Sequence, residues 1–168
     1  SRTNPWMQES SNKIIQDGEI VSFDTDMVGP YGYCADISRA FVCGNKFNEY
    51  QKKLYQTAVE QIDYNSRLIK AGVTFKEFTE KAWILPEKYY GNRYSVMLHG
   101  IGLCDEWPAI RYPSDGGERG GTFQKNMTIT LESYIGEVGG NEGVKLEQQY
   151  LVGENGLELM SHHPLEKI

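Results

Sequence analysis

The chain has 168 residues and a formal net charge of −6, with 17 lysines and arginines against 23 aspartates and glutamates. This length suits a single domain with a real hydrophobic core. The acidic balance argues against nucleic-acid binding, which depends on neutralising phosphates with basic side chains. No apolar run approaches the roughly 20 residues that a membrane helix needs, so we expect neither class of partner.

The three cysteines are Cys34, Cys43 and Cys104, and they form no CxxC pair. An odd number without such a pair argues against a disulfide framework and against a structural zinc site. We therefore predict small buried thiols in a protein of the reducing cytoplasm.

The first predicted elements form a β-hairpin. Residues 19–24 follow an Asp-Gly pair and have the composition of a strand. The run GPYG at residues 29–32 predicts a tight turn, and residues 33–42 predict the returning strand.

Two helices are predicted next. Apolar residues at helical spacing predict a helix over residues 48–71 that ends at a C-cap, Gly72. Thr74 and Glu77 have the spacing of a capping box, which predicts the start of a second helix. Pro86 would interrupt that second helix.

Two strands and one loop complete the predicted elements. Residues 127–134 and 144–152 have the composition of strands. The glycine-rich run SDGGERGG at residues 114–121 predicts a surface loop. A strand pair, a helix pair and further strands in this order predict an α+β domain with an antiparallel sheet and helices on one face.

Acidic residues occur where strands should be apolar, and one histidine accompanies them. Glu132 interrupts the strand TLES, and Glu147 interrupts KLEQ. Asp24 and Asp26 are two residues apart, so they point to one face of an extended strand. Hairpin pairing would bring Asp36 beside them. The candidate metal ligands are Asp24, Asp26, Asp36, His99, Glu132 and Glu147.

An ionised carboxylate on the core face of a sheet is costly unless it is paired or bound to metal. Converging carboxylates also repel one another, and two divalent cations would remove that repulsion. Five carboxylates and one imidazole are ligands suited to manganese, iron, cobalt or zinc. The alternative is that each carboxylate is solvated on an open face and that His99 is a hydrogen-bonded core histidine.

The same residues, in the same order, resemble the metal ligands of a known family. The segments YCADISRAF, HGIGL, TLES and GVKLEQQYLV are similar to those of methionine aminopeptidase, aminopeptidase P, prolidase and creatinase. The resemblance implies a pita-bread catalytic domain with a dinuclear metal centre. Because that domain is longer in the family, it also implies that residues 1–168 are the C-terminal, metal-binding catalytic part of a longer protein.

Other segments depart from the peptidases of this family. The run CDEWP after HGIGL lacks the histidine with which such peptidases transfer protons, and Glu132 is followed by Ser133-Tyr134 where the family has Pro-Gly. The runs RTNPW, FDTDMVGPYGYCADISR and HGIGLCDEWP resemble more closely one branch, the DddP-type dimethylsulfoniopropionate lyases. Enzymes of that branch release dimethyl sulfide and acrylate.

Resemblance to this branch implies roles for particular residues. The six candidate ligands would bind two metal ions, with iron the expected species. Asp105 would be the general base, and Tyr94 would contact a small-molecule substrate. The full-length protein is expected to be a homodimer.

A β-elimination agrees with the chemistry of these residues. Removal of a proton next to a carboxylate is easier when a metal offsets the developing charge, and Asp105 is the carboxylate that would take the proton. The leaving group departs neutral and needs no acid, which fits the missing histidine. A sulfonium favours aromatic faces, and the candidates are Tyr94, Trp107, Tyr112 and Tyr134.

Two other functions stay open at this point. One is a proline-specific metallopeptidase that cleaves Xaa-Pro bonds, and the other is a metal-free binding module with the same fold. We also expect Glu106 to face solvent. Arg39 either pairs with a ligand carboxylate or packs across the sheet, and no chemical role is expected for His162 or His163.

Overall fold

The structure is a computed structural model that describes residues 12–44 and 46–165. The run RTNPW at residues 2–6 lies outside the described residues. Short 3-10 turns lie at Pro30–Gly32 and Pro113–Asp115. The helices and strands are, in order, β1 (Ile20–Asp24), β2 (Met27–Val28), β3 (Cys34–Ala35), β4 (Ser38–Val42), α1 (Glu49–Ser66), α2 (Phe75–Lys81), α3 (Glu87–Tyr90), β5 (Val96–Gly100), β6 (Ala109–Arg111), β7 (Thr128–Gly136), β8 (Gly143–Val152) and β9 (Leu157–Leu159).

An antiparallel sheet of five strands, in the order β6-β5-β7-β8-β9, is the centre of the fold. The register of β7 and β8 places Glu132 directly opposite Glu147. Helix α1 packs against both strands, and β4 of the hairpin packs against β8. Both faces of β7 and β8 are therefore covered, and their residues are nearly all buried. The predicted α+β class and antiparallel sheet are confirmed.

The apolar face of α1 forms the core together with the central strands. Apolar residues on that face recur at helical spacing, as the sequence predicts. Full burial of one such side chain stabilises the fold by about 1.5–3 kcal/mol. Members of this core that are at most 1% exposed include Leu54, Ala58, Ile62, Leu98, Leu131, Ile135 and Leu146.

The hairpin is present, but its returning strand is not continuous. The prediction of one strand over residues 33–42 is wrong, because β3 and β4 are separate strands with Asp36 and Ile37 between them. At the break, the Thr25 hydroxyl donates a hydrogen bond to the Ile37 carbonyl at 2.9 Å. A side chain thus replaces a bond of the backbone ladder, and Asp36 is released from strand pairing.

Helix α1 begins where the sequence predicts but ends earlier. Asn48 and Gln51 form a capping box at its start. The helix ends at Ser66, so the predicted end at Gly72 is wrong. Gly72, at φ 92°, belongs instead to a turn in which its N–H donates to the Phe123 carbonyl at 2.9 Å. The left-handed backbone of this turn, and not a helix cap, favours glycine here.

The predicted capping box of α2 is confirmed, but the prediction that Pro86 ends this helix is wrong. Thr74 and Glu77 bond reciprocally as the spacing predicts. The helix ends at Lys81 because Ala82 is already extended, at φ −57° and ψ 152°. Pro86 does not interrupt α2 but precedes the short helix α3.

His99 lies on β5, a strand for which the sequence patterns make no prediction. Every residue of β5 is buried, so the strand lacks the alternation of polar and apolar residues that identifies half-exposed strands. The short elements α3, β6 and β9 are unpredicted for the related reason that three or four residues carry too little pattern.

The cysteines are free thiols, but the expectation that they are buried is wrong. Cys34 and Cys43 are half-buried, and Cys104 is exposed. Among residues 12–44 and 46–165, no helix combines the length and apolar character needed to cross a bilayer.

Substitution of the helix cap, Thr74→Ala, tests the local account of α2. The Thr74 hydroxyl accepts from the Glu77 N–H at 3.1 Å, and the Glu77 carboxylate accepts from the Thr74 N–H at 2.9 Å. We expect the free energy of unfolding of the full-length protein, measured in urea, to fall by about 1 kcal/mol. The control is Thr57→Ala within α1, where we expect a change below about 0.5 kcal/mol. Equal losses in the two variants would contradict the capping role.

Candidate metal centre

Adjacent strands of the sheet contribute polar side chains to one buried point. His99 lies on β5, Glu132 on β7 and Glu147 on β8. The Nε2 atom of His99 is 3.3 Å from Glu132 Oε1 and 3.4 Å from Glu147 Oε1. From the hairpin, Asp36 Oδ2 lies 3.5 Å from the same nitrogen. Strand pairing thus brings together residues that are distant in the sequence.

The side chains form two overlapping groups. The ligand atoms of His99, Glu132 and Glu147 all lie within 4.8 Å of one another. The same is true of Asp24, Asp36 and Glu147. Since Glu147 belongs to both groups, the arrangement could hold two cations side by side with this carboxylate in reach of each.

Asp26 belongs to a third group at the more exposed end of the cluster. Its carboxylate lies within the same 4.8 Å limit of Asp36 and Asp105. All six side chains that the sequence singles out are therefore brought to one place. Asp36 belongs both to the group with Asp24 and Glu147 and to the group with Asp26 and Asp105. Their assignment as metal ligands stays a prediction.

The innermost atoms fit a bound cation. Asp36, His99, Glu132 and Glu147 are at most 4% exposed. Within the described part of the chain, Asp36 Oδ1, His99 Nε2 and Glu147 Oε1 make no hydrogen bond. A buried polar atom left without a partner costs about 1–3 kcal/mol. A divalent transition metal would remove this cost, and carboxylates with one imidazole are suitable ligands for it.

Burial also changes the proton affinity of these carboxyl groups. Burial raises the pKa of Asp36 to about 8. Burial and repulsion from Glu147 raise the pKa of Glu132 to about 7. Burial acts on Glu147 in the same direction, but the attraction of Lys145 and His99 outweighs it and lowers the pKa of Glu147. Asp36 and Glu132 thus bind protons readily unless a cation compensates their charge.

One cation of the protein itself lies in the cluster, and the sequence analysis missed it. Lys145 is 2% exposed. Its Nζ is 3.2 Å from Glu147 Oε2 and 3.6 Å from Asp24 Oδ2, and it pairs most closely with Glu132 Oε2. Burial alone would lower the pKa of Lys145, but these three carboxylates raise it. The sequence could have indicated this lysine, because residues 145 and 147 lie on the same face of a strand.

Arg39 holds the strand that carries Glu147 and does not pair with a ligand carboxylate. Its Nη1 donates to the backbone carbonyl of Glu147 at 2.6 Å, and its Nη2 donates to the Gln148 side chain at 2.6 Å. Nη2 also donates to the His163 carbonyl, and Nε donates to the Pro164 carbonyl. Of the two roles left open by the sequence, packing across the sheet is the one observed.

The loop after β5 brings two more carboxylates to the cluster. Asp105 Oδ1 accepts a hydrogen bond from the Glu106 N–H at 3.0 Å. Glu106 is exposed, as expected, at 50% of its side chain, yet its Oε1 lies 3.9 Å from His99 Nε2, and its ligand atom lies within 4.8 Å of those of Asp36 and His99. The backbone of Glu106 has a φ of 61°, a left-handed conformation that the sequence around it does not indicate.

The four aromatic candidates divide into two pairs. The Tyr94 ring lies beside the centre, with its centroid 5.4 Å from the Nζ of Lys145. Trp107 is 55% exposed in the loop that carries Asp105. Tyr112 and Tyr134 are 6% and 3% exposed and pack in the interior. Tyr94 and Trp107 are thus the two that remain candidates for contact with a substrate.

A comparison with known families agrees with this geometry. The sequence model of metallopeptidase family M24 matches residues 2–154. The chain belongs to this family. The family is one of metallopeptidases, and the acidic and histidine groups of this chain could hold metal ions.

Curated relatives of this family member include both lyases and peptidases. The dimethylsulfoniopropionate lyase DddP of Roseovarius nubinhibens is 40% identical over 168 residues, which are 98% of this chain and 38% of the relative. The Xaa-Pro dipeptidase of Pyrococcus horikoshii is 32% identical over 95% of this chain and 44% of the relative. The chain thus spans about two fifths of the length of these relatives.

Solved structures of the family confirm the pita-bread fold. The X-Pro aminopeptidase of Thermotoga maritima superposes with a TM-score of 0.79 at 26% identity, over 98% of this chain and 46% of that one. The prolidase of Pyrococcus furiosus superposes with a TM-score of 0.78 at 28% identity, over 99% of this chain and 47% of that one.

Removal of the carboxylate shared by the two groups tests the candidate centre. Glu147→Gln keeps the shape of the side chain but removes a charge from both groups. We expect the metal content of the full-length protein, measured by elemental analysis after loading with Mn²⁺, to fall from about two ions per chain to at most about one. The control, Glu154→Gln, removes a surface carboxylate that pairs with Lys125. Equal metal content in the two variants would contradict the assignment.

Proposed function

We propose that the protein is a metal-dependent carbon–sulfur lyase that cleaves dimethylsulfoniopropionate to dimethyl sulfide and acrylate. The observation that carries the proposal is the 40% identity to a dimethylsulfoniopropionate lyase across 98% of the chain, against 32% for a dipeptidase. The run CDEWP supports it, because Asp105 and Glu106 stand near the cluster where the peptidases use histidine.

The residues have distinct parts in the proposed reaction. Asp24, Asp26, Asp36, His99, Glu132 and Glu147 hold two divalent ions, of which iron is the species we propose. When bound, these ions act as Lewis acids that offset the charge of the substrate carboxylate. Asp105 accepts the proton from the carbon next to that carboxylate. The electron pair left behind forms the double bond of acrylate while the carbon–sulfur bond breaks, and dimethyl sulfide departs neutral.

Aromatic side chains bind the other end of the substrate. The sulfonium group is a cation without hydrogen-bond donors, so it gains most from the face of an aromatic ring. We propose Tyr94 for this contact, with Trp107 at the exposed side. A homodimer of the full-length protein and a cytoplasmic location complete the proposal.

An Xaa-Pro metallopeptidase is the second candidate, favoured by the likeness to the prolidase and X-Pro aminopeptidase structures. One assay separates the two. We expect the full-length, metal-loaded protein to release dimethyl sulfide from dimethylsulfoniopropionate, measured in the headspace by gas chromatography, and to leave an Xaa-Pro dipeptide intact. Cleavage of the dipeptide without sulfide release would support the peptidase. Bound metal without either activity would contradict both, and absence of metal would favour the binding module.

Two neighbouring carboxylates allow a matched test of the general base. Asp105→Asn should lower kcat for sulfide release by about 100-fold or more, because the proton acceptor is lost. Glu106→Gln, the paired variant, should lower kcat by about 10-fold at most, since the proposal makes Glu106 neither a ligand nor the base and it contributes a charge 3.9 Å from His99 Nε2. The reverse order of effects would assign the base to Glu106.

A further inference from the structure

We propose that Lys145 is the cation that compensates the charge of the metal centre before metal binds. Its buried ammonium serves as a permanent cation that orients Glu132 and Glu147 before metal binds and compensates their charge. The inference rests on the metal centre of the proposed function and does not depend on the substrate.

The two oxygens of each glutamate have different neighbours. Glu132 Oε1 and Glu147 Oε1 face His99 Nε2 at 3.3 and 3.4 Å. The Oε2 atoms of both residues face Lys145 Nζ, at 3.2 Å in the case of Glu147. Because the ammonium occupies one oxygen of each carboxylate, the other oxygen is turned toward the imidazole. Lys145 thus selects the orientation in which both glutamates can share a cation with His99.

A hydroxyl and an aromatic ring also lie around the Lys145 ammonium. The Ser38 hydroxyl lies 2.8 Å from Nζ and also 2.9 Å from Glu147 Oε2. The Tyr94 ring is 5.4 Å away at its centroid. A lysine that merely filled space would not need three carboxylates, a hydroxyl and an aromatic face around its charge.

The ligand carboxylates also carry more negative charge than two divalent ions offset. Asp24, Asp26, Asp36, Glu132 and Glu147 supply five negative charges, and two divalent ions supply four positive ones. Lys145 offsets the charge left on these five carboxylates, to which Asp105 and Glu106 of the neighbouring loop add further negative charge. Among the described residues, no other lysine or arginine reaches the carboxylates of Asp24, Glu132 or Glu147. Arg39 is the other buried cation nearby, and its bonds go to carbonyl and amide oxygens.

The test compares the stability of metal-free and metal-loaded protein. Lys145→Met keeps an unbranched side chain one atom shorter and removes the charge, and Lys145→Arg keeps the charge. The control Lys88→Met removes an exposed lysine that pairs with Glu137 outside the centre. The Tm of each full-length variant is measured in EDTA and in saturating Mn²⁺, and bound metal is counted by elemental analysis.

We expect Lys145→Met to lower the Tm in EDTA by about 10 °C, because buried carboxylates lose their partner. In Mn²⁺ the loss should be less than half as large, so the rise in Tm on metal binding increases. Lys145→Arg should retain the rise seen in the wild-type protein, and Lys88→Met should shift both forms equally. A Lys145→Met protein that folds only with Mn²⁺ would also support the proposal.

An equal loss of Tm in the two conditions, or failure to fold in both, would overturn the proposal, since either would mean that Lys145 acts through packing alone. A wild-type protein that binds no metal and gains no stability from Mn²⁺ would overturn the metal centre and this inference together. No substrate enters the experiment, so failure of the lyase assay leaves its outcome unaffected.

Discussion

The pairing of Glu132 with Glu147 across β7 and β8 is the constraint on which the rest of the structure depends. Like charges directly opposite in a sheet destabilise it, and at 4% and 0% exposure water screens neither carboxylate. The pair is tolerated because His99 and Lys145 approach it from neighbouring positions. Folding of the sheet therefore depends on these two residues at its centre.

Strands and loops contribute different groups around this point. The glutamates and His99 lie on paired strands of the sheet, where hydrogen bonding limits their movement, and Arg39 fastens the backbone of β8 from the hairpin. Asp105 and Trp107, two of the groups proposed to meet the substrate, lie on a loop in which Glu106 adopts a left-handed conformation. Ligands on strands and reacting groups on loops are a common division, since metal geometry demands precision and substrate access demands an opening.

Local sequence patterns predict the features that depend on residues close together in the sequence. The capping box at Thr74 needs only residues three apart, and it forms as predicted. The acidic residues of β7 and β8 could be recognised because a carboxylate is anomalous in a buried strand. The end of α1 could not be predicted, since Gly72 serves a contact with Phe123 about fifty residues away. Lys145 was overlooked because a lysine in a strand is ordinary until the strand is known to be buried on both faces.

The sequence by itself determined the family, the α+β class and the set of acidic and histidine side chains, because these follow from residue types and their order. Only the tertiary structure decided that Glu147 is common to two groups, that Lys145 stands behind both glutamates and that Glu106 turns toward His99. These facts depend on strand register and on one backbone angle, and both are set by packing between segments that are distant in the chain.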